Sequence, residues 1–124
     1  MKMVTKNLVF NCAHRIMRTK SIERNLHGHT WQLKILLQKP KNNEKLDKLL
    51  KGFKEELDHS LFLYEKDRHL LEMAAVLDFR TIELPFQTTK IKIAEWIIIE
   101  LRNKGLKIRE IQLNECEQEN IEVE

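Results

Sequence analysis

Two histidines flank a glycine in the stretch "LHGHT", which begins at Leu26 and lies just before a run with strand character. Residues i and i+2 of a strand point to the same side, so His27 and His29 present both imidazoles to one face. His14 ends an earlier strand candidate, and its ring reaches the same point if the two strands pair as a hairpin through residues 15–26. Three neutral imidazoles with an open fourth position are typical of a catalytic zinc site. The spacing therefore slightly favours a metal centre over surface or core histidines.

Two further groups of polar residues stand at the predicted ends of regular elements. Asp58 and His59 close a predicted helix, where the carboxylate can orient the ring and the pair can serve as a proton relay. The alternative is a histidine that interacts with the helix dipole. Glu115 shares the parity of Ile111 and Leu113, so it can point inward at a strand end and accept paired N–H bonds from an amidine-like group. Its alternative, an exposed glutamate in an acidic tail, is favoured by the pattern alone.

The elements that position these residues follow from the spacing of apolar side chains. The alternation of Leu8, Phe10 and Cys12 predicts a strand. The helical spacing of Leu46 and Leu50 predicts a long helix. Extended over the chain, the same rules predict strands at 2–14, 30–38, 75–85 and 107–115, long helices at 44–57 and 89–104, and a shorter helical piece at 66–74.

The order of these elements indicates the fold class. Strands joined by short turns or by single helices favour an α+β fold, with two long helices on one face of a four-stranded antiparallel sheet. Such a sheet leaves two exposed edges, and proteins of this kind often form oligomers through them. The chain of 124 residues is interpreted as a single domain, 1–124.

Composition restricts the class of protein and its compartment. The chain is 42% hydrophobic and 33% charged, as is ordinary for soluble globular proteins. No apolar run approaches the roughly 18 residues of a transmembrane helix, and the N-terminus lacks a secretory h-region. We therefore expect a cytoplasmic protein with no membrane partner. Cys12 and Cys116 fit no zinc-ribbon spacing and are expected to be reduced thiols.

Charge is unevenly distributed about a formal net value of +3. Residues 1–41 contain nine Lys or Arg and one acid, Glu23, whereas residues 110–124 contain six Glu and no base. The basic half is either packing and solvated surface, which the pattern favours, or a site for an anionic ligand. The aromatic content of 6% does not support a dedicated nucleic-acid binder, so no nucleic-acid partner is expected.

Taken together, these segments resemble the 6-pyruvoyl-tetrahydropterin synthase / 6-carboxy-tetrahydropterin synthase family. The histidine motif combined with the Asp-His pair is the specific part of the resemblance, and the matching segments follow the family's order over almost the whole chain. The segments are "FNCAHR" (10–15), "LHGHTWQLKI" (26–35), "LDHSLFL" (57–63), "TTKIKIAEWI" (88–97) and "IQLNE" (111–115).

The resemblance implies a tunnelling fold (T-fold), in which two trimers, each closing a β-barrel, stack into a homohexamer with active sites between subunits. It implies catalysis by Asp58 and His59, and pterin binding by Glu115 and by Thr89. The family's glutamate two residues after that threonine is Ile91 here. It also implies that one Zn²⁺ ion is bound by His14, His27 and His29.

The resemblance also implies a substrate. The family acts on 7,8-dihydroneopterin triphosphate, whose side chain carries vicinal hydroxyls on which zinc acts as a Lewis acid. Breaking a carbon–oxygen or carbon–carbon bond of that side chain gives a 6-pyruvoyl product, a 6-carboxy product that is a queuosine precursor, or a 6-hydroxymethyl product for folate. All three outcomes stay open. The expected triphosphate contacts are Arg15, Arg18, Lys20 and Arg24.

Glu23 marks a departure from the family pattern. The family's general base is a cysteine shortly before His-Gly-His, and this chain has none there. Glu23 stands four residues before His27 and is either a replacement base or a loop residue in a metal- and pterin-binding relative that has lost activity. Cys12 shares the parity of His14, and it is interpreted as a core residue with a functional role as the alternative.

Overall fold

The computed structural model describes residues 2–116, and five strands and three α-helices lie in that range. The acidic run at 110–124 therefore extends outside the described residues. A short 3₁₀ turn covers Ile22–Arg24. The strands are β1 (Met3–His14), β2 (His27–Gln38), β3 (Ser60–Tyr64), β4 (Thr81–Leu84) and β5 (Ile108–Glu115), and the helices are α1 (Asn43–Leu57), α2 (Arg68–Leu77) and α3 (Lys90–Asn103).

The sheet is mixed and has the strand order β4-β3-β1-β2-β5. β1 and β5 pair antiparallel with β2, whereas β3 pairs parallel with both β1 and β4. The α+β prediction is confirmed, but the prediction of four antiparallel strands is wrong. β3 was missed because its sequence, "SLFLY", is buried almost throughout and shows no alternation. Continuous apolar runs are typical of parallel strands covered on both faces.

The third predicted strand, 75–85, is much shorter in the structure. Only Thr81–Leu84 forms a strand, because the first residues of the predicted range complete α2. Asp78 ends this helix in the left-handed conformation, with φ 55°, and its backbone N–H caps the last carbonyls. A polar residue that tolerates positive φ thus stops the helix where apolar content alone suggested a strand.

The two long helices begin and end where local chemistry predicts. The Asn42 side chain accepts a hydrogen bond from N of Lys45 and begins α1. The Thr89 side chain does the same for N of Lys92 and begins α3, and Gly105 follows the end of α3 at φ 92°. Neither helix, nor any other helix in the described range, is long and apolar enough to cross a membrane.

α1 and α3 cover one face of the sheet and form the main core with it. Removing one large apolar side chain from water contributes about 1.5–3 kcal/mol, so this face supplies much of the stability. Its largest fully buried members are Phe10, Trp31, Leu33, Ile35 and Leu37 from the sheet, and Phe53, Leu57, Ile93, Ile97 and Leu101 from the helices.

The β1–β2 hairpin sets the register of the chemistry-bearing residues. His14 lies opposite His27, and Cys12 lies opposite His29. Opposite residues of an antiparallel pair project to the same face, and here that face carries buried Phe10 and the helices. The histidines therefore stand at the end of the core, where the sheet's helix-covered face opens.

Candidate metal centre and active site

His14, His27 and His29 form a compact cluster of rings. The ring centroids lie 4.6 Å apart for His14 and His27, 5.0 Å for His14 and His29, and 4.7 Å for His27 and His29. One ligand atom from each residue lies within 4.8 Å of the other two. Three imidazoles at this separation can hold one ion between them.

Backbone carbonyls fix the tautomers of two rings. Nδ1 of His14 lies 2.6 Å from O of Thr88, and Nδ1 of His27 lies 2.7 Å from O of Asn25. Because a carbonyl oxygen only accepts, each Nδ1 must carry the hydrogen. In the neutral ring, Nε2 then presents a lone pair, which is the form that binds a metal.

A carboxylate and an indole support the third ring. Oε1 of Glu115 lies 3.2 Å from Nδ1 of His29, which favours a hydrogen on that nitrogen and leaves Nε2 as the donor. The Trp31 ring stacks on the His29 ring, with centroids 5.3 Å apart and 19° between the planes. Each of the three imidazoles is therefore oriented through a contact of its Nδ1.

The burial of His14 tests whether these residues fit a metal ion. Its Nε2 is buried and has no hydrogen-bond partner among the described residues, although an unsatisfied buried polar atom costs about 1–3 kcal/mol. Burial lowers the pKa of His14 to about 4, and the charges of the other two histidines act in the same direction. The ring is therefore neutral near pH 7, and a bound cation would satisfy its free nitrogen. Three imidazoles suit zinc as well as copper, iron and nickel.

Asp58 and His59 form a pair that is anchored to β1. Oδ1 of Asp58 accepts a hydrogen bond from N of Asn11 at 2.8 Å, and N of His59 donates to O of Asn11 at 2.7 Å. Oδ2 of Asp58 lies 3.1 Å from Nδ1 of His59, whose side chain is 77% exposed. The Asn11 hydrogen bond, aided by His59, lowers the pKa of Asp58. The Asp58 carboxylate therefore stays charged, and its contact with Nδ1 of His59 leaves Nε2 of that ring available to other groups.

A cavity of about 1040 Å³ joins part of the histidine cluster to this pair. Its wall includes His29, His59 and Glu115, so the structure brings these three predicted residues to one space. Thr89 is not part of the wall, and its hydroxyl oxygen accepts the 3.3 Å hydrogen bond that begins α3. The other wall residues are Asn11, Cys12, Ala13, Leu26, Gly28, Thr30, Ser60, Leu61, Phe79, Arg80 and Cys116.

Glu23 lies in the exposed 3₁₀ turn before β2 and outside the cavity wall. Burial lowers the pKa of His29, and the negative charges of Glu115 and Glu23 oppose this shift. The backbone carbonyl of Glu23 accepts a hydrogen bond from N of Ile16 at 2.9 Å, which ties the turn to the end of β1.

The structure bears on two further expectations about residues near the cluster. Arg15, expected at the triphosphate, instead pairs through two nitrogens with the carboxylate of Asp67, which is buried. Cys12 is buried opposite His29, and burial raises the pKa of its thiol to about 12, as suits a core residue. Sequence reasoning missed Thr88 and Asn25, which hold two of the rings through backbone atoms that carry no side-chain signal.

An α+β sheet with helices on one face and three clustered imidazoles at its end defines a class of candidate metal-site proteins. Comparison with protein families identifies the chain within that class. The family described as 6-pyruvoyl tetrahydropterin synthase matches residues 3–124, and the chain therefore belongs to this family of pterin-related lyases. A search of curated proteins finds no significant match.

Solved structures show the same fold at low sequence identity. An uncharacterized protein from Wolinella succinogenes aligns with a TM-score of 0.71 and 17% identity over 92% of each chain. A Plasmodium vivax 6-pyruvoyltetrahydropterin synthase, in which a glutamate described as a catalytic residue is replaced by alanine, aligns with a TM-score of 0.57 and 15% identity over 93% of each chain. The Plasmodium falciparum synthase gives 0.56 and 19%, over 90% of this chain and 88% of that one.

Proposed function

We propose that the chain is a zinc-dependent lyase that acts on 7,8-dihydroneopterin triphosphate, with Glu23 as the general base. The observation that carries the proposal is the arrangement of three imidazoles whose Nδ1 atoms each contact an oxygen. Family membership supplies the pterin substrate class. The product is of the 6-carboxy, 6-pyruvoyl or 6-hydroxymethyl type.

His14, His27 and His29 are the residues that would hold the ion. When bound there, zinc supplies Lewis-acid polarisation of substrate oxygens. The chain itself supplies a dry inner wall, because His14 is buried and Trp31 stacks beside His29. Exclusion of water on that side strengthens electrostatic interactions within the site.

The proposed role of Glu23 is to remove a proton from the substrate side chain. Glu23 lies in the connection between β1 and β2, and the ends of this connection are His14 and His27. The Plasmodium vivax synthase, whose catalytic residue is a glutamate, supports a carboxylate base in this fold. A carboxylate is charged at neutral pH and is therefore in the form that accepts a proton.

Asp58 and His59 are proposed as the second proton-transfer group. The carboxylate beside Nδ1 of His59 favours the tautomer that leaves Nε2 free to accept or donate a proton. The Asn11 N–H holds the carboxylate in place from the neighbouring strand. His59 is exposed at the cavity wall, where a substrate can reach its ring.

Glu115 is proposed to bind the pterin ring. One carboxylate oxygen contacts His29 and the side chain is 60% exposed, so the other oxygen is available to an amidine-like edge. Thr89 is a weaker candidate for the same ring, since its hydroxyl oxygen already caps α3. Its O–H remains able to donate one hydrogen bond.

The decisive experiment is incubation of purified, zinc-loaded protein with 7,8-dihydroneopterin triphosphate, with products identified by mass spectrometry. Glu23→Gln is expected to lower turnover by about 100-fold, because the base is removed while the side chain keeps its size. Zinc content should be unchanged. The matched control is Glu72→Gln, an exposed glutamate of α2. Full activity of Glu23→Gln would place the base elsewhere.

Ile91 favours a second candidate function, a non-catalytic protein that binds metal and pterin. It stands in the first turn of α3 where the family has a glutamate, and it is 70% exposed. The protein would then bind the pterin tightly without changing it. Calorimetric binding of dihydroneopterin triphosphate with no product by mass spectrometry would select this function, and Glu115→Ala should then abolish binding.

We propose that the protein assembles as a homohexamer, a dimer of trimers. β4 and β5 are the edges of the sheet within the described chain, and unpaired edges favour strand pairing between subunits. Exposed apolar side chains on α2, before β4 and on α3, among them Val76, Phe79 and Ile99, support burial in an interface. Light scattering after size-exclusion chromatography tests the mass, and a monomer at micromolar concentration would contradict the assembly.

A further inference from the structure

The connection between β1 and β2, residues 15–26, contains Glu23 and links His14 to His27. Its regular structure in the described chain is limited to the 3₁₀ turn at Ile22–Arg24. Among the described residues, one backbone hydrogen bond, from N of Ile16 to O of Glu23 at 2.9 Å, joins the first part of this connection to its last part. The place of Glu23 therefore depends on how firmly Ile16 is held.

Gln87 binds the first part of this connection, at Met17, through both polar atoms of its side-chain amide. Its Oε1 accepts a hydrogen bond from N of Met17 at 3.2 Å, and its Nε2 donates to O of Met17 at 3.2 Å. A pair of bonds to both backbone groups of one residue is what an antiparallel strand neighbour supplies. Gln87 thus continues the strand-like pairing after β1 has ended. Both residues are half-buried, so water competes weakly for these bonds.

Thr88 holds the two residues that precede Ile16. Its carbonyl accepts from Nδ1 of His14 at 2.6 Å, and its hydroxyl donates to O of Arg15 at 3.2 Å. Ile16 therefore has a tied residue on each side, Arg15 before it and Met17 after it. This arrangement keeps the Ile16 N–H directed at the carbonyl of Glu23.

We infer that Gln87 is a positioning residue that sets the place of Glu23 in the connection between His14 and His27. The inference rests on the proposed function, in which Glu23 is the base. Gln87 acts through Met17 and Ile16, and its described hydrogen bonds involve none of the three histidines. Its loss should loosen the base while the metal ligands stay in place.

Two substitutions of Gln87 separate its bonds from its volume. Gln87→Met keeps the length of the side chain and removes both hydrogen bonds. Gln87→Glu keeps the acceptor for N of Met17 and removes the donor to O of Met17, and its unchanged size makes it the second variant should Gln87→Met fail to fold. Gln112→Met, at an exposed glutamine of β5, is the matched control.

The first measurement is hydrogen exchange at the Ile16 amide, read by NMR on the zinc-loaded protein. Gln87→Met should accelerate this exchange by about tenfold, because the hydrogen bond to Glu23 opens more often. Gln87→Glu should show a smaller acceleration, and Gln112→Met none. Unchanged exchange at Ile16 in Gln87→Met would overturn the inference, whether or not the protein turns over a pterin.

The second measurement compares zinc affinity, by chelator competition, with kcat and KM for dihydroneopterin triphosphate. Gln87→Met should lower kcat by about tenfold with zinc affinity and KM nearly unchanged, since a displaced base affects the chemical step. Parallel loss of zinc affinity would place the effect at the histidines and overturn the inference, as would an unchanged kcat with faster Ile16 exchange. If the wild-type protein shows no turnover, the proposed function fails, and Ile16 exchange alone still decides whether Gln87 holds this segment.

Discussion

Oε1 of Glu115 lies 3.2 Å from Nδ1 of His29, so the last residue of β5 supports a ring of the candidate metal centre. Strand pairing explains the contact, because Glu115 pairs with Trp31, two residues along β2 from His29. Carboxylates in this position orient a ligating imidazole and raise its basicity. Glu115 is therefore expected to affect metal binding as well as the binding of a substrate.

Removing this carboxylate should weaken zinc binding. We expect Glu115→Ala to lower zinc affinity by about tenfold, because His29 loses the group that orients its ring. Calorimetric titration of the metal-free protein with zinc measures the change. Glu110→Ala, at an exposed position of the same strand, should bind zinc like the wild type. Equal affinities for the two variants would show that the contact does not support the metal site.

Asp67→Asn should strongly destabilise the fold. The Asp67 side chain is 2% exposed, pairs with Arg15 and caps α2 through N of Leu70. Removing one partner of a buried ion pair leaves the other uncompensated, so we expect a loss of about 3 kcal/mol in the free energy of unfolding. Urea denaturation at neutral pH measures it. Asp47→Asn, which breaks the exposed pair with Lys6, should cost less than about 1 kcal/mol.

The same carboxylate predicts how stability depends on pH. Burial raises the pKa of Asp67, but the hydrogen bonds from Arg15 and from N of Leu70 and the charge of Arg15 outweigh it, and the net pKa lies below the ordinary 3.8. A depressed pKa stabilises the fold above the unfolded value, and that contribution disappears as the pH falls through the folded value. The wild type should therefore lose stability below about pH 4 more steeply than Asp67→Asn. Parallel profiles would contradict this assignment.

Asp58→Asn should affect turnover and leave zinc binding unchanged. The amide can no longer favour the Nδ1–H tautomer of His59 by its charge, so we expect kcat to fall by about 100-fold. The Asn11 N–H, with His59, already holds the pKa of Asp58 below its ordinary value, so protonation of this group should not limit activity in mildly acidic solution. A pH–rate profile and zinc titration of the variant are the measurements. Full turnover would exclude a proton relay here.

Cys12 should be chemically inert in the folded protein. Burial raises the pKa of its thiol to about 12, whereas the thiol of Cys116 is only half-buried. Only the thiolate reacts readily with alkylating agents. With iodoacetamide at about pH 8, mass spectrometry of peptides should show Cys116 labelled at least about 100-fold faster than Cys12. Comparable rates would return Cys12 to the candidates for a functional role.

Local periodicity was sufficient for the face on which the three histidines lie, although the predicted strand 30–38 begins later than β2, which starts at His27, and the hairpin was only a condition of the prediction. Alternation along β1 placed His14 with Phe10, and the i, i+2 spacing placed His27 with His29. Both relations depend on neighbouring residues of one strand, and the observed register follows them. Whether the three rings bind an ion stays a prediction.

The spacing of apolar residues does not predict contacts between residues that are far apart in the chain. β3 joins the sheet beside β1 in parallel, and its buried run gives no alternation from which its neighbour can be inferred. The partner of His14 is Thr88, 74 residues away, and that of Arg15 is Asp67, 52 residues away. Such contacts depend on how the elements pack, so the pairing of Arg15 with Asp67 could not be inferred from the sequence, and its contact with a phosphate stays a prediction.

The backbone of His59 adopts a conformation that lowers the stability of the fold while it places an imidazole at the cavity wall. With φ 59° it occupies the left-handed region, where a side chain other than glycine costs about 1 kcal/mol or more. His59→Gly would relieve this backbone strain and would therefore raise the free energy of unfolding. It would also remove an imidazole from the cavity wall. A substitution that raised the melting temperature at this position would give a more thermostable protein without the imidazole that we propose for proton transfer.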